Sequence, residues 1–493
     1  MEFDTQPHQG AEAKPLAAPT ISASTHEPST PDMASNLIIV MVGLPAREKS
    51  FIVKKLARYL NWLQHPTRIF NAGELRRKSA PTSVDDTSGA AKNASQSSAA
   101  FFDPHNNENV RRRDEIALQV LDHLLGWIVQ RSGSVGILDA TNSTRQRRSL
   151  VLSKIRRRIG PHLRILFLES CCYDEAILER NFRLKLSGPD YKSQDPVKAL
   201  SDFKRRVELY EQAYVTLGEA EEDEGLSFVQ VIDVGRKMNT HLIRGFLSTQ
   251  VVEYMLGFNL TERQLWISCG ESEDDAVGRI GRPSDLSEFG KRYAGSLAAL
   301  IEQQRSLWES SRFARVQANL KSGGDTKLPS ARHSSQATPF CIWTSMMPQA
   351  TQTAHRFSND SYIKTEIKML NDINAGDMAG MTFSEIEEQF PDIYAARKQH
   401  KLLYRWPGLG GESYADVIHR MKPVILELER MREHVLLISH RAVIRVLLAY
   451  FLDLRRMDLP EIVIPKNWAF VLEPVRVPPT WSNALKNDTW CTR

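Results

Sequence analysis

The stretch "LIIVMVGLPAREKS", Leu37 to Ser50, decides how this chain is read. Its first seven residues form an apolar run ending in glycine, the pattern of a strand buried on both faces. The remainder fits the phosphate-cradling spacing G-x-x-x-x-G-K-[ST] at Gly43, Lys49 and Ser50. It departs at Glu48, where the spacing asks for a second glycine. Such a loop works because consecutive backbone N–H groups and a helix N-terminus face the phosphates. The lysine bridges β- and γ-oxygens, and the hydroxyl sits on magnesium. Glu48 places a carboxylate where a nucleotide's phosphates would lie.

Outward from the loop, "KSFIVKKLARYLNWL" predicts a helix and "TRIFN", from Thr67, a second strand. A helix is predicted over about 107–130, then strands in "SVGILDATN", "LRILFLES" and "SFVQVIDVG". Short apolar runs alternating with amphipathic segments predict an α/β fold with a mainly parallel sheet covered on both faces. The alternation restarts at "QLWISCG", from Gln264, and continues through "FCIWTS", a helix near 414–431, "VLLIS" and "HRAVIRVLLAYFL". Two domains are expected, over 36–258 and 262–475. Residues 1–35, rich in Ser, Thr, Pro and Ala, read as a disordered tail, and 476–493 as a second tail. Stretches near 78–100 and 322–339 read as surface insertions. No internal repeat is visible.

Composition narrows the function classes. The 493 residues carry 64 basic and 59 acidic side chains, a net charge of +5 that is scattered and predicts no nucleic-acid partner. "RRRD", Arg111 to Asp114, reads either as a solvated helix face or as part of an anion site. Five cysteines without framework spacing suit a reducing compartment. No leader and no run of about 20 apolar residues is seen, so a cytoplasmic protein without a membrane partner is expected. Asp139, ending an apolar strand in "ILDATN", stands where α/β sheets place functional groups, although it also reads as a helix cap.

Six segments in order, "GLPAREKS", "RYLNW", "FNAGELRR", "DATNSTRQRR", "SGPDY" and "VIDVGR", resemble the kinase half of the bifunctional 6-phosphofructo-2-kinase/fructose-2,6-bisphosphatase family. The resemblance implies a phosphate-loop kinase domain followed by a phosphoglycerate-mutase-like domain, with ATP, Mg2+ and fructose 6-phosphate as ligands. It implies that the loop Gly43, Leu44, Pro45, Ala46, Arg47 and Glu48, with Lys49, Ser50 and Asn181, serves the nucleotide, Ser50 also holding the metal. Asp139 would be the catalytic carboxylate near the sugar hydroxyl, with Lys49 and Lys185 assisting. Arg76, Arg77, Arg113, Thr141, Arg147, Arg206 and Tyr210 would hold fructose 6-phosphate. Cys172 falls at a cysteine associated with the kinase site, or is a buried core thiol. A homodimer paired through the kinase halves is implied as well.

The second half resembles the family's phosphatase, whose signature is R-H-G-E at the end of the first strand. Here "ISCGES" puts Ser268 at the arginine and Cys269 at the phosphorylated histidine. Asp372 stands at the acid glutamate, Asp274 at an asparagine, and "TSMMPQATQTA" lacks the basic phosphate ligand. His440, Arg279, Tyr394, Arg397, Lys401, Tyr404 and Arg445 match, and Arg441 replaces a glutamine. A Cys269 nucleophile would need an arginine six residues on, and that position is Asp275. Bisphosphatase activity is expected to be lost. For the first half Glu48 leaves two expectations: an impaired kinase, or a non-catalytic protein that binds sugar phosphates.

Overall fold

The computed structural model describes residues 36–78, 99–321 and 340–473, apart from 132, 161–162, 187, 189, 192–193 and 260–262. Both expected tails, the 322–339 insertion and most of the 78–100 insertion lie outside the described residues. Two mixed sheets organise the rest. The first has the order β2-β3-β1-β4-β5-β6. Its strands are β1 (Leu37–Val42), β2 (Thr67–Asn71), β3 (Val135–Asp139), β4 (Arg164–Cys171), β5 (Phe228–Ile232) and β6 (Lys237–His241). All are parallel except β6, which pairs antiparallel with β5. In β1 alternate residues go to opposite layers. Leu37, Ile39 and Met41 join one apolar cluster, and Ile38, Val40 and Val42 join another with Leu121, Leu124 and Val151. Burial on both faces is why this strand reads as a continuous apolar run.

The second sheet has the order β11-β7-β10-β8-β9. It is built from β7 (Leu265–Ser268), β8 (Phe340–Thr344), β9 (Tyr362–Glu366), β10 (His434–Ile438) and β11 (Ala469–Leu472), the last antiparallel to β7. The parallel kinase-type sheet followed by a second α/β domain is thus present. In both sheets the loops after the central parallel strands gather the site residues.

The helix that follows the phosphate loop, α1 (Lys49–Trp62), joins the two halves. Ile52, Val53, Leu56 and Leu60 recur at helical spacing and are buried in a core that continues through Tyr254 into Leu447 and Tyr450 of the second domain. Tyr59 stacks on Tyr254 with ring centroids 4.5 Å apart. Within this apolar seam Glu429 accepts from Lys55 at 2.7 Å, Arg58 at 2.9 Å and the Tyr450 hydroxyl at 2.7 Å. Burial raises the Glu429 carboxyl, but Lys55 and Arg58 outweigh it and bring the group down to about 2. The back of the phosphate-loop helix is therefore fixed by a charge from the other domain.

Candidate active site

The loop after β1 is wound tightly. Gly43 takes φ +134, and a Cβ there would lie 2.6 Å from the Ser170 carbonyl oxygen, so only glycine fits. Ala46 and Glu48 both adopt left-handed backbone, at φ 59 and 58. Alternating left-handed residues are the backbone of anion-cradling nests. Glu48 keeps the glycine-like conformation the motif needs (φ 58, ψ 8) while carrying a side chain, and it caps the N-terminus of α1. It is half-buried and lines a cleft of 2030 Å³ with Pro45, Ala46, Lys49 and Ser50. Leu44 is buried among Phe101, Phe102 and Tyr210. Arg47, buried, pairs with Glu211 at 3.2 Å. Asn181 braces the turn by donating to the Ala46 carbonyl at 3.1 Å.

Lys49 is buried, and its Nζ donates to the Leu44 carbonyl. Burial lowers its pKa to about 7; Asp139 opposes the shift, and the charges of Lys185 and Arg47 add to it. Lys185 is exposed and lines the same cleft. Asp139, at the end of β3, accepts from Ser50 Oγ at 3.2 Å and Asn71 Nδ2 at 2.5 Å. A hydroxyl beside a carboxylate suits magnesium, which takes one or two carboxylates and completes its shell with phosphate oxygens and water. Ser50 is the residue that fits it, with the Asp139 carboxylate at its side. Among the described residues no group of three or more His, Cys, Asp or Glu side chains is placed to hold a metal. Asn142 in "DATN" donates to the Met41 carbonyl at 2.7 Å, tying the β3 loop to β1.

The same cleft holds an arginine cluster. Asp190 gathers Arg76 at 2.7 Å, Arg206 at 3.3 Å and Arg77 at 3.5 Å. The Arg206 guanidinium covers the Phe102 ring at 3.8 Å, and Arg113 faces Phe102 and Tyr210 at 6.0 and 5.8 Å. Arg147 pairs with Asp114, and Thr141 lines the wall. Tyr210 is pushed up by burial, yet Arg206 and Arg113 outweigh this and lower it overall. The "RRRD" segment divides: Arg111 and Arg112 are exposed, while Arg113 and Asp114 turn into the cleft. Apart from Cys172, every kinase-half residue proposed from the sequence except Gly43, Leu44 and Arg47, which lie buried behind the loop, lines this cleft. Cys172 does not; it is buried with its thiol raised by burial, as a core residue would be.

Phe101, Phe102 and Asp190 were not read from the sequence as site residues, and Asp114 only as the end of "RRRD". Asp190 lay within the "SGPDY" match. The two phenylalanines follow a Ser- and Ala-rich segment, and the pair itself was the available signal. Their turn, Ala99–Phe102, is buried rather than a surface insertion, so the expected insertion ends before Ala99.

In the second domain a pocket of 450 Å³ collects Cys269, Asp274, Asp275, Arg279, Asp372, Tyr394, Arg397, Lys401, His440, Arg441 and Arg445. Ser268 lies behind it, fully buried and bonded to the Tyr293 hydroxyl at 2.7 Å. Tyr404 packs against Trp406, which lines the cavity, and does not line it itself. Burial, reinforced by Asp275, pushes the Cys269 thiol up to about 12, against the charge of Arg441. The charge of Arg441, from a distant helix, does reach this cysteine, but that arginine pairs with Asp275 at 2.7 Å. His440 is held neutral by burial, with Nε2 2.7 Å from Ser345 Oγ.

Comparison with known proteins follows the same division. Residues 25–262 match the 6-phosphofructo-2-kinase family model. Residues 314–473 match the histidine phosphatase superfamily (branch 1) model, a match that begins beyond Ser268 and Cys269. The chain is 44% identical over 455 residues to 6-phosphofructo-2-kinase 1 of Saccharomyces cerevisiae, covering 92% of this chain and 52% of that protein. It therefore spans about half the length of that relative. It is 40% identical to a probable 6-phosphofructo-2-kinase of Schizosaccharomyces pombe, covering 92% of this chain and 70% of the relative. To 6-phosphofructo-2-kinase/fructose-2,6-bisphosphatase 3 of Rattus norvegicus it is 36% identical, covering 91% and 73%. Among the described residues no helix is long and apolar enough to cross a membrane.

Proposed function

The chain belongs to the 6-phosphofructo-2-kinase/fructose-2,6-bisphosphatase family, and on that premise we propose that its first domain is an ATP-dependent 6-phosphofructo-2-kinase slowed by Glu48. The observation that carries this reading is the meeting of Lys49, Ser50 and Asp139 with Arg76, Arg77, Arg113, Arg147 and Arg206 in one cleft. The guanidiniums offer planar forks to the 6-phosphate of fructose 6-phosphate. Asp139 orients the 2-hydroxyl and takes its proton as the oxygen attacks the γ-phosphorus in line, breaking its bond to the β–γ bridging oxygen and releasing ADP. Lys49 and Lys185 draw charge from the transferring group. Magnesium would be held at Ser50 and would supply neutralisation of the phosphate charge. A domain spanning about 36–258 carries this chemistry, and a domain spanning about 262–475 supports it without hydrolysing the product. The neutral Cys269 thiol and buried Ser268 supply neither nucleophile nor phosphoryl clamp.

A second reading, a non-catalytic sugar-phosphate binder, is favoured by one observation: Glu48 holds the glycine conformation with a carboxylate attached. Product formation separates the two. Purified chain with ATP, magnesium and fructose 6-phosphate is expected to form fructose 2,6-bisphosphate, and Asp139→Asn to abolish formation while sugar-phosphate binding persists. Binding without product in the unmodified chain would favour the second reading.

A further inference from the structure

The phosphate loop and the helix behind it are pulled in two directions. The loop holds two residues with side chains in left-handed backbone, Ala46 at φ 59 and Glu48 at φ 58. Such conformations persist only where the surroundings over-determine them. Glu48 is the N-cap of α1, and Lys49 and Ser50 are its first two residues. A loop that relaxed would therefore carry Lys49 and Ser50 out of place.

Farther along, α1 is tied to the second domain. Lys55 and Arg58 share one face of the helix, roughly 9 and 14 Å along its axis from Lys49 at a rise of about 1.5 Å per residue. Both bond to Glu429, at 2.7 and 2.9 Å. Glu429 stands near the end of the helix Tyr414–Arg430 and is only 5% exposed. It also accepts from Tyr450, on the helix Arg441–Phe451, at 2.7 Å. The Arg58 guanidinium lies 4.7 Å from the Tyr450 ring centroid and donates to the Phe451 carbonyl at 3.3 Å. Among the described residues no other carboxylate of the second domain bonds to α1. Such a buried cluster adds little net stability over apolar packing, because desolvating the charges offsets their attraction, but it fixes one arrangement of its partners.

We infer that Glu429 is a positioning residue for the first-domain kinase: it anchors α1 so that the strained loop keeps Lys49 and Ser50 facing the phosphates. Resting on the kinase reading of the first domain, this gives the second domain a part in phosphoryl transfer that needs no hydrolytic chemistry of its own. Glu429 offsets, from the far side of α1, the strain that Glu48 puts into the loop. Simple packing would make the chain depend on Glu429 equally with either residue at position 48. Anchoring predicts less dependence once glycine holds the turn unaided.

The test is steady-state kinetics of the full chain with Glu429→Gln, which keeps the side-chain volume and removes the charge, alone and combined with Glu48→Gly. KM for ATP should rise about tenfold beside Glu48 and no more than about twofold beside glycine, a coupling of the size that a shared backbone shift produces. KM for fructose 6-phosphate should stay within about twofold, because Arg76, Arg77, Arg113, Arg147 and Arg206 stand on other helices. Glu429→Asp, which keeps the charge, should recover most of the ATP affinity. A merely destabilising change would lower the folded fraction and the apparent kcat while leaving both KM values in place. If Glu429→Gln fails to fold, Lys55→Met, which removes one partner on α1, is read in the same way. An unchanged KM for ATP, an equal rise in both backgrounds, or a parallel rise for both substrates would overturn the proposal. No product from the unmodified chain would instead overturn the kinase reading on which it rests.

Discussion

Replacing Glu48 by glycine should tighten MgATP binding by about two decades. The structure supplies two costs for the glutamate. Its left-handed backbone, φ 58 and ψ 8, is one that a residue with a Cβ holds at about 1–3 kcal/mol where glycine holds it freely. That strain is present with or without nucleotide, so it lowers loop stability and enters affinity only if the loop tightens. The charge acts on binding directly. A carboxylate about 5 Å from one phosphate charge costs about 3 kcal/mol at an effective dielectric near 20, or roughly a hundredfold in Kd. Glu48→Gln keeps the backbone and most of the volume while removing the charge, so it should recover most of the gain. Calorimetric titration of MgATP into the three proteins at two salt concentrations reads this out. The gap between unmodified chain and Glu48→Gln should shrink at higher ionic strength, because salt screens a charge that is partly in contact with solvent. Equal Kd values for all three proteins would refute the reasoning, as would a gain in Glu48→Gly that Glu48→Gln does not share.

Three further expectations follow from the same geometry. Glu429→Ala leaves Lys55 and Arg58 buried without their counterion, and should cost about 3–5 kcal/mol in thermal or denaturant unfolding. Because the folded Glu429 carboxyl lies near 2 against an ordinary 4.5, its stabilisation is full above pH 4.5 and lost as pH falls toward 2, which an acid titration of stability detects. Lys49 has a pKa of about 7 in the empty cleft, and phosphates will raise it. The sign is therefore proton uptake: MgATP affinity is full below pH 7 and falls as pH rises above it, and calorimetry at pH 8 in buffers of different ionisation enthalpy should show close to one proton taken up, absent in Lys49→Met. Cys269, with its thiol near 12, should resist iodoacetamide in the folded chain at pH 8 and react on unfolding, as mass spectrometry of the labelled peptides would show.

What was legible in the sequence was what local pattern dictates. Gly43, Lys49 and Ser50 announced the loop, and Asp139 ended a strand too apolar to be anything but central. The strands that escaped notice, "KMNTH" of β6, "YIKTE" of β9 and the four residues of β11, lie at sheet edges. One face there is solvated, so the apolar run that marks a central strand is missing. Long-range partnerships were equally silent. Nothing near Asp190 says that it gathers arginines from both sides of the insertion, and Glu429 is 371 positions from the Arg58 it neutralises. Such pairs are set by packing and cannot be read from spacing. The Cys269 environment shows the same limit, since its neighbouring Arg441 is 172 positions away.

The central claim is that a complete phosphoryl-transfer site is throttled by one carboxylate on its phosphate loop. Steady-state formation of fructose 2,6-bisphosphate by the unmodified chain and by Glu48→Gly, compared as kcat/KM for ATP, tests it most directly. Product from both proteins, with the variant ahead by about one to two decades, is the predicted result. Product from neither, in two folded proteins, would contradict it.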